Sequence, residues 1–328
     1  MLDRFDTLDQ RLLDDFQRDF PLTPRPFAVL AENLGTDEDT VLAHLSAMQA
    51  DGRIARVGAT VRPNTAGAST LAAMAIPEER IEQVAAQVSR RPAVNHSYLR
   101  EHDWNLWFVA AAPSSDALAE DLARIEADTG LPVLDLRLVR PFNIDLGFPL
   151  AGERRCMTTR AEVDQGALRE SDRPLLHLLS QGLPLDPRPY AQVAAILGWS
   201  EGCVLTRIDA LLAAGILTRL GVIVRHRAVG WTSNAMVVWE VPEDRMVAAG
   251  TALAQVPGVT LCYQRRTVAG LWPYGLYSMI HARSRGEALE VLARAAALPE
   301  LAGVDHLPLF SLRCFKQTGA RLAEEKAA

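Results

Sequence analysis

The chain repeats itself. PLTPRPF at Pro21–Phe27 returns as PLDPRPY at Pro184–Tyr190, a spacing of 184 − 21 = 163 residues. The same spacing holds without a gap for Leu34-Gly35 against Leu197-Gly198. It also holds for Gly52, Arg56, Gly58, Val61, Arg62 and Gly67 against Gly215, Arg219, Gly221, Val224, Arg225 and Gly230. With small insertions the match continues: AIPEER (75–80) answers EVPEDR (240–245), and Pro92, Val94, Tyr98 and Arg100 answer Pro257, Val259, Tyr263 and Arg265. A duplication sets the domain count and predicts an internal pseudo-twofold pair. In 328 residues there is room for two such units of ordinary size.

Each copy reads as two modules in series. Leu8, Leu12, Leu13 and Phe16 recur at helical spacing, Pro24–Leu34 makes a second helix, and Thr36 with Asp37 caps a third that runs to about Met48. After Asp51-Gly52, the alternation of Ile54, Arg56, Gly58, Thr60 and Arg62 predicts a two-stranded wing, and the second copy repeats the pattern to about Arg227. Then come a strand (69–75; 235–241), a helix opening near Pro77 or Pro242, two strands (within 94–111; 259–281), a helix (115–129; 284–298) and a closing strand. That order, βαββαβ, predicts a ferredoxin-like sandwich. The fold class is therefore α+β, two tandem copies of a winged helix-turn-helix plus a ferredoxin-like module. The expected boundaries are 1–66 and 67–148, a linker at 149–168 rich in turn formers and mixed charge, then 169–229 and 230–322.

Charge and cysteine usage narrow the function. A net charge of −6 lacks the positive excess that drives phosphate binding. The longest stretch without a charged side chain, Thr267–Ala282, is broken by Gly270, Pro273 and Gly275, so no membrane span is expected. The acidic start MLDRFDTLDQ is unlike a secretory signal and predicts a cytoplasmic protein. Cys156, Cys203, Cys262 and Cys314 lie far apart with no C-x-x-C pair, which suggests neither a zinc site nor a disulfide framework.

The order of modules resembles the Lrp/AsnC regulators, which implies DNA binding. The residues argue otherwise. The third helix of copy 1, TDEDTVLAHLSAMQAD, carries four carboxylates and no Lys or Arg, and its counterpart SEGCVLTRIDALLAAG offers Arg207 alone; base and phosphate contacts need the opposite charge. No DNA partner is expected. A regulator would need a basic patch from Arg53, Arg56, Arg62, Arg219, Arg225 and Arg227 on the wings.

The strings VNHSYLREHDWNLWF (94–108) and VTLCYQRRTVAGLWPYGLYSMIHA (259–282), with the ending LFSLRCFKQTGARL (309–322), resemble the two unlike subunits of siroheme decarboxylase joined in one chain. The resemblance implies loss of two acetate carboxylates from siroheme to give didecarboxysiroheme in haem d1 biosynthesis. It implies no cofactor beyond the iron of the substrate and no protein metal site. A pyrrole acetate leaves as carbon dioxide when an acid protonates the ring and makes an electron sink. Gly275 stands where Asn is expected by analogy with Asn105.

His96, Tyr98 and Arg100 lie on one face of a strand. In an ordinary sheet that row is simply solvated; with the resemblance, His96 becomes the candidate general acid, its ordinary pKa suiting proton donation near neutrality. Tyr98 and Arg100 join it as catalytic candidates, as does His281, a second proton donor or iron ligand. Candidate substrate-binding groups are Asn105, Trp107, Tyr263, Arg265, Arg266, Tyr274, Tyr277 and Lys316. Their arginines suit carboxylates and their rings suit a flat macrocycle, although Trp107 and Tyr277 alternate with apolar neighbours as core residues do. The site is expected between the halves of an internal pseudo-dimer, which leaves further dimerisation open. The copies differ at His96 against Leu261 and at Ala111 against His281, so their chemistry cannot be equivalent.

Overall fold

The structure is a computed structural model in which residues 7–144 and 163–319 are described; most of the expected linker, Cys156 and the end of the closing motif lie outside them. Copy 1 opens with helices α1 (Thr7–Asp15), α2 (Pro26–Leu34) and α3 (Glu38–Ala50), then strand β1 (Ile54–Val61). Asp37 caps α3 by accepting from the Thr40 amide, while Pro26 starts α2 and Gly35 ends it at φ 72°. Strands β2 (Ala68–Met74), β3 (Val94–Arg100), β4 (Leu106–Ala112) and β5 (Leu134–Ile144) follow, interleaved with α4 (Ile81–Arg90) and α5 (Ser115–Thr129). Copy 2 repeats the series as α6 (Asp172–Gln181), α7 (Pro189–Leu197), α8 (Glu201–Ala213), β6 (Leu217–Val224), β7 (Ser233–Trp239), α9 (Met246–Ala254), β8 (Val259–Arg265), β9 (Leu276–Ala282), α10 (Arg285–Ala296) and β10 (His306–Gln317).

The wing expected within each copy is made between the copies. Each contributes one strand, and β1 pairs antiparallel with β6 so that Gly58 faces its repeat mate Gly221. Glycine is required there by close approach: a Cβ on Gly58 would sit 2.6 Å from the Leu179 carbonyl oxygen, and one on Gly221 would sit 2.6 Å from that of Phe16. Gly58 thus receives α6 of the other copy and Gly221 the turn that follows α1, and the helical modules share one core built from Leu12, Leu45, Leu175, Ile208 and their neighbours. Backbone cannot yield as a side chain tip does, so Gly221→Ala is expected to destabilise by about 1–3 kcal/mol. Gly202→Ala in α8, with open space around the new methyl, is expected to be neutral or mildly stabilising. Equal urea midpoints for the two variants would rule out this packing account.

The eight remaining strands close into one barrel, ordered β10-β3-β4-β2-β5-β8-β9-β7. Two strands cross between copies. In β5, Leu134–Arg137 pair with β2 and Leu138–Ile144 with β8; in β10, His306–Phe310 pair with β7 and Ser311–Gln317 with β3. Each module keeps the expected βαββαβ order, but closure removes free sheet edges and makes the two modules one body. Helices α4 and α5 cover one flank, and α9 and α10 the other. Trp107, Trp272, Tyr277, Leu136, Met236 and Leu309 form a core cluster that joins strands of both copies. Above it, bounded by the β1–β6 ribbon and in part by Trp107, Met236 and Tyr277, lies a cavity of about 410 Å³. Among the described residues no helix is long and apolar enough to cross a membrane.

Candidate active site

The cavity is lined by five arginines, Arg56, Arg62, Arg100, Arg219 and Arg265, and among the described residues its lining contains no Asp or Glu. Four of them form two repeat-related pairs. Arg56 and Arg219 come from β1 and β6 of the ribbon; Arg100 and Arg265 end β3 and β8 of the barrel. The barrel pair is built alike on both sides. Arg100 Nη1 donates to the Leu309 carbonyl at 2.9 Å and Arg265 Nη1 to that of Leu136 at 3.0 Å. Each guanidinium also lies over the tyrosine two residues earlier, Tyr98 at 5.6 Å and Tyr263 at 5.2 Å. Nε of Arg56, Arg100 and Arg265 is buried with no hydrogen-bond partner among the described residues.

Burial acts on every one of these guanidinium groups. Burial lowers the pKa of Arg56, Arg62 and Arg265, and takes Arg100 down to about 10. Arg219 falls to about 9 through burial and then through the charges of Arg18 and Arg56. Buried cations need a counter-charge, and a polyanion entering this cavity would supply it. Burial raises the pKa of Tyr98, Tyr263 and Tyr277, so their hydroxyls remain donors.

Two histidines predicted as proton donors meet different fates. His96 faces the cavity, with Nδ1 2.8 Å from Asn95 Oδ1; Nε2 has no hydrogen-bond partner among the described residues. His281 is tied at both nitrogens. Arg100 donates to Asn234 Oδ1 at 3.2 Å, Asn234 Nδ2 donates to His281 Nε2 at 2.7 Å, His281 Nδ1 donates to Thr260 Oγ1 at 2.7 Å, and Thr260 donates to the Met279 carbonyl. That chain fixes one tautomer. Its members Asn234 and His281 face each other across β7 and β9, where copy 1 has Ser69 and Ala111, so the cavity is polar on one side and lined by small residues on the other.

The ordinary pKa assumed for His96 does not survive burial. Burial first, then the charges of Arg56 and Lys316, push it down to about 4, and His226 is pushed to about 4 by burial, Arg227 and His96. Folding therefore favours the neutral rings. The resulting stability is fully present above the unfolded value near 6.5 and is lost as pH falls toward 4. We expect the thermal midpoint of the protein alone to drop across that window, and His96→Gln with His226→Gln to flatten the drop; an unchanged slope would remove these rings from the account.

Residues 9–54 and 172–217 match the siroheme decarboxylase NirDL-like HTH domain, and residues 66–142 and 228–316 match the AsnC-like ligand binding domain. The siroheme decarboxylase NirDL subunit of Paracoccus denitrificans (strain Pd 1222) is 62% identical over 322 residues, covering 98% of this chain and 99% of the relative. This chain belongs to the siroheme decarboxylase NirDL family.

Other members agree. The siroheme decarboxylase of Hydrogenobacter thermophilus is 32% identical over 96% of this chain and 95% of its own. A crystal structure of the siroheme decarboxylase NirDL aligns with TM-score 0.70 at 29% identity, covering 97% of this chain and 95% of that one. A second, of NirDL in co-complex with an iron-uroporphyrin III analogue, aligns with TM-score 0.68 at 29% identity over 97% and 94%.

In this NirDL-family chain, eight predicted residues line the cavity: His96, Tyr98, Arg100, Trp107, Tyr263, Arg265, Tyr277 and His281. Four do not. Asn105 spends its amide on the backbone of Ile76, at 3.0 Å to the N–H and 2.8 Å to the carbonyl, and so anchors a turn. Gly275 takes the equivalent place, its carbonyl accepting from the Arg265 amide as that of Asn105 accepts from Arg100. Exposed Arg266 pairs with Asp135 at 3.4 Å, Tyr274 packs on Trp272, and Lys316 donates to the Arg91 carbonyl at 3.1 Å. Tyr277, though on the lining, accepts from Trp272 Nε1 at 2.7 Å, and Trp107 donates to the Trp104 carbonyl, so both are largely core. The sequence reading missed Asn234 and His226, the latter buried and edge-on to His281 at 4.7 Å. His226 stands opposite Pro63 in the repeat; that divergence inside a well-matched stretch was the available signal.

Proposed function

We propose that this chain removes carbon dioxide from two acetate side chains of siroheme, giving didecarboxysiroheme for haem d1 biosynthesis. The carrying observation is the cavity lined by five arginines and, among the described residues, by no carboxylate, in a NirDL-family chain. Siroheme bears eight carboxylates, and arginine forks hold carboxylates in register. His96 protonates a pyrrole ring, the bond to the carboxyl carbon breaks, and its electrons neutralise the ring as carbon dioxide leaves. The exocyclic methylene then takes a proton to become methyl, while the ring returns its proton to the imidazole. Each acetate consumes one proton and no electrons. Tyr98 and Tyr263 donate hydrogen bonds to the substrate, while His281, with both nitrogens engaged, acts through Asn234 to position Arg100 instead of serving as donor or iron ligand.

A regulator finds less support. Arg62 and Arg219 of the supposed basic patch are only 7% and 8% exposed and face the cavity. Arg53 is paired with Asp9 and Asp51, and Arg207 is buried against Asp172 at 2.5 Å. The test is anaerobic incubation of the purified protein with siroheme and mass spectrometry of the extracted tetrapyrrole. Loss of two carbon dioxide units is expected. Siroheme bound but unchanged would make the chain a carrier, and salt-sensitive binding of duplex DNA without siroheme binding would restore the regulator.

A further inference from the structure

The ribbon arginines have a task that the proton chemistry does not assign. Arg56 and Arg219 are repeat mates on paired strands, both line the cavity, and Arg56 Nε is buried without a hydrogen-bond partner among the described residues. They come from the helix-turn-helix modules, whose third helix in copy 1 carries Glu38 and Asp39 in its first turn and no basic residue in its last. Two arguments say which carboxylates they suit. First, a carboxylate that leaves as carbon dioxide must give up its charge, so a guanidinium fork on it stabilises the ground state, is lost on the way to the transition state and slows the step. Arginine aids this reaction when it grips a carboxylate that stays. Second, the proton donor occurs once, His96 being answered by Leu261, whereas Arg56 is answered by Arg219. A duplicated cation facing an unduplicated acid belongs to the frame that holds the macrocycle.

We propose that Arg56 and Arg219 form a carboxylate-binding subsite, contributed by the helix-turn-helix modules, for side chains of the tetrapyrrole that the reaction leaves in place. This rests on the siroheme reading above. The experiment titrates Arg56→Gln and Arg219→Gln, each with its Lys counterpart, with two probes followed by absorbance: iron-uroporphyrin III, which keeps every acetate, and didecarboxysiroheme, which keeps only the carboxylates that survive. Each Gln variant is expected to weaken both probes by the same factor, about tenfold or more, with the Lys variants intermediate. KM is expected to rise by more than kcat falls in each Gln variant, since uniform binding is lost; in Arg56→Gln, whose charge acts on His96, the pH profile of kcat is expected to move as well. Arg225→Gln, an exposed repeat mate of Arg62 outside the cavity lining, is expected to change none of these. A loss confined to iron-uroporphyrin III would place these arginines on leaving acetates, and no loss with either probe would remove them from the ligand; both results overturn the proposal. If the parent protein binds neither probe, the siroheme reading itself falls, and the subsite with it.

Discussion

His96→Ala is expected to slow siroheme decarboxylation roughly 10²–10⁴-fold, the usual contribution of a general acid, while binding of the tetrapyrrole stays within about threefold. The pH dependence gives the sharper test. In the protein alone the imidazole is held down to about 4 by burial, Arg56 and Lys316. Carboxylates seated on the arginines neutralise the repulsion and add attraction for the protonated ring, so its pKa rises on binding. The active form is the acid, hence rate falls as pH climbs through that pKa. The falling limb of kcat, which reports the complex, is therefore expected at higher pH than that of kcat/KM, which reports the free enzyme. Coincident limbs that persist in His96→Ala would assign the proton to another group.

For Arg100→Ala the expected loss is in affinity, on the order of 100-fold for the tetrapyrrole, because a desolvated guanidinium gives up two charge-assisted bonds. The damage extends beyond charge. Arg100 is the head of the chain through Asn234 and His281 to Thr260, so its removal leaves the Asn234 oxygen without that donor. Arg100→Lys keeps the charge but neither the fork nor the reach, and is expected to recover less than about tenfold of the loss. Spectrophotometric titration of both variants decides the matter: full recovery by lysine would reduce Arg100 to a point charge.

Much of this architecture was legible because repeats and periodicities are local in the chain. The offset between Arg56 and Arg219, or between Tyr98 and Tyr263, needs no knowledge of packing, and the element order of each module follows from alternation, helical spacing and caps such as Asp37. What alternation cannot carry is the partner. Ile54–Val61 has the same pattern whether it folds back on itself or pairs with another copy, so the wing was expected within one module. The direction in which a strand's polar face points is likewise set by tertiary contact: Arg62 and Arg219 read equally well as phosphate contacts or as cavity walls, and only closure of the barrel beneath the ribbon decides. Asn105 was misread for a related reason, since an amide that satisfies a backbone turn and one that meets a ligand look alike in sequence.

The two crossing strands impose an order on the making of the molecule. Arg100 meets the Leu309 carbonyl across a separation of 209 residues, and β3 has no partner on one side until β10 exists. During synthesis the first half therefore leaves the ribosome as a sheet with an open edge, its buried arginines unassembled, and waits for nearly the whole second half. Pairings this distant form late and slowly, and an unpaired edge is where chains stick to one another. Joining the two halves in one polypeptide keeps the missing strand at high local concentration from the moment it appears. The fusion thus acts on yield before it acts on catalysis: separately expressed halves should need each other present as they fold, not merely afterwards.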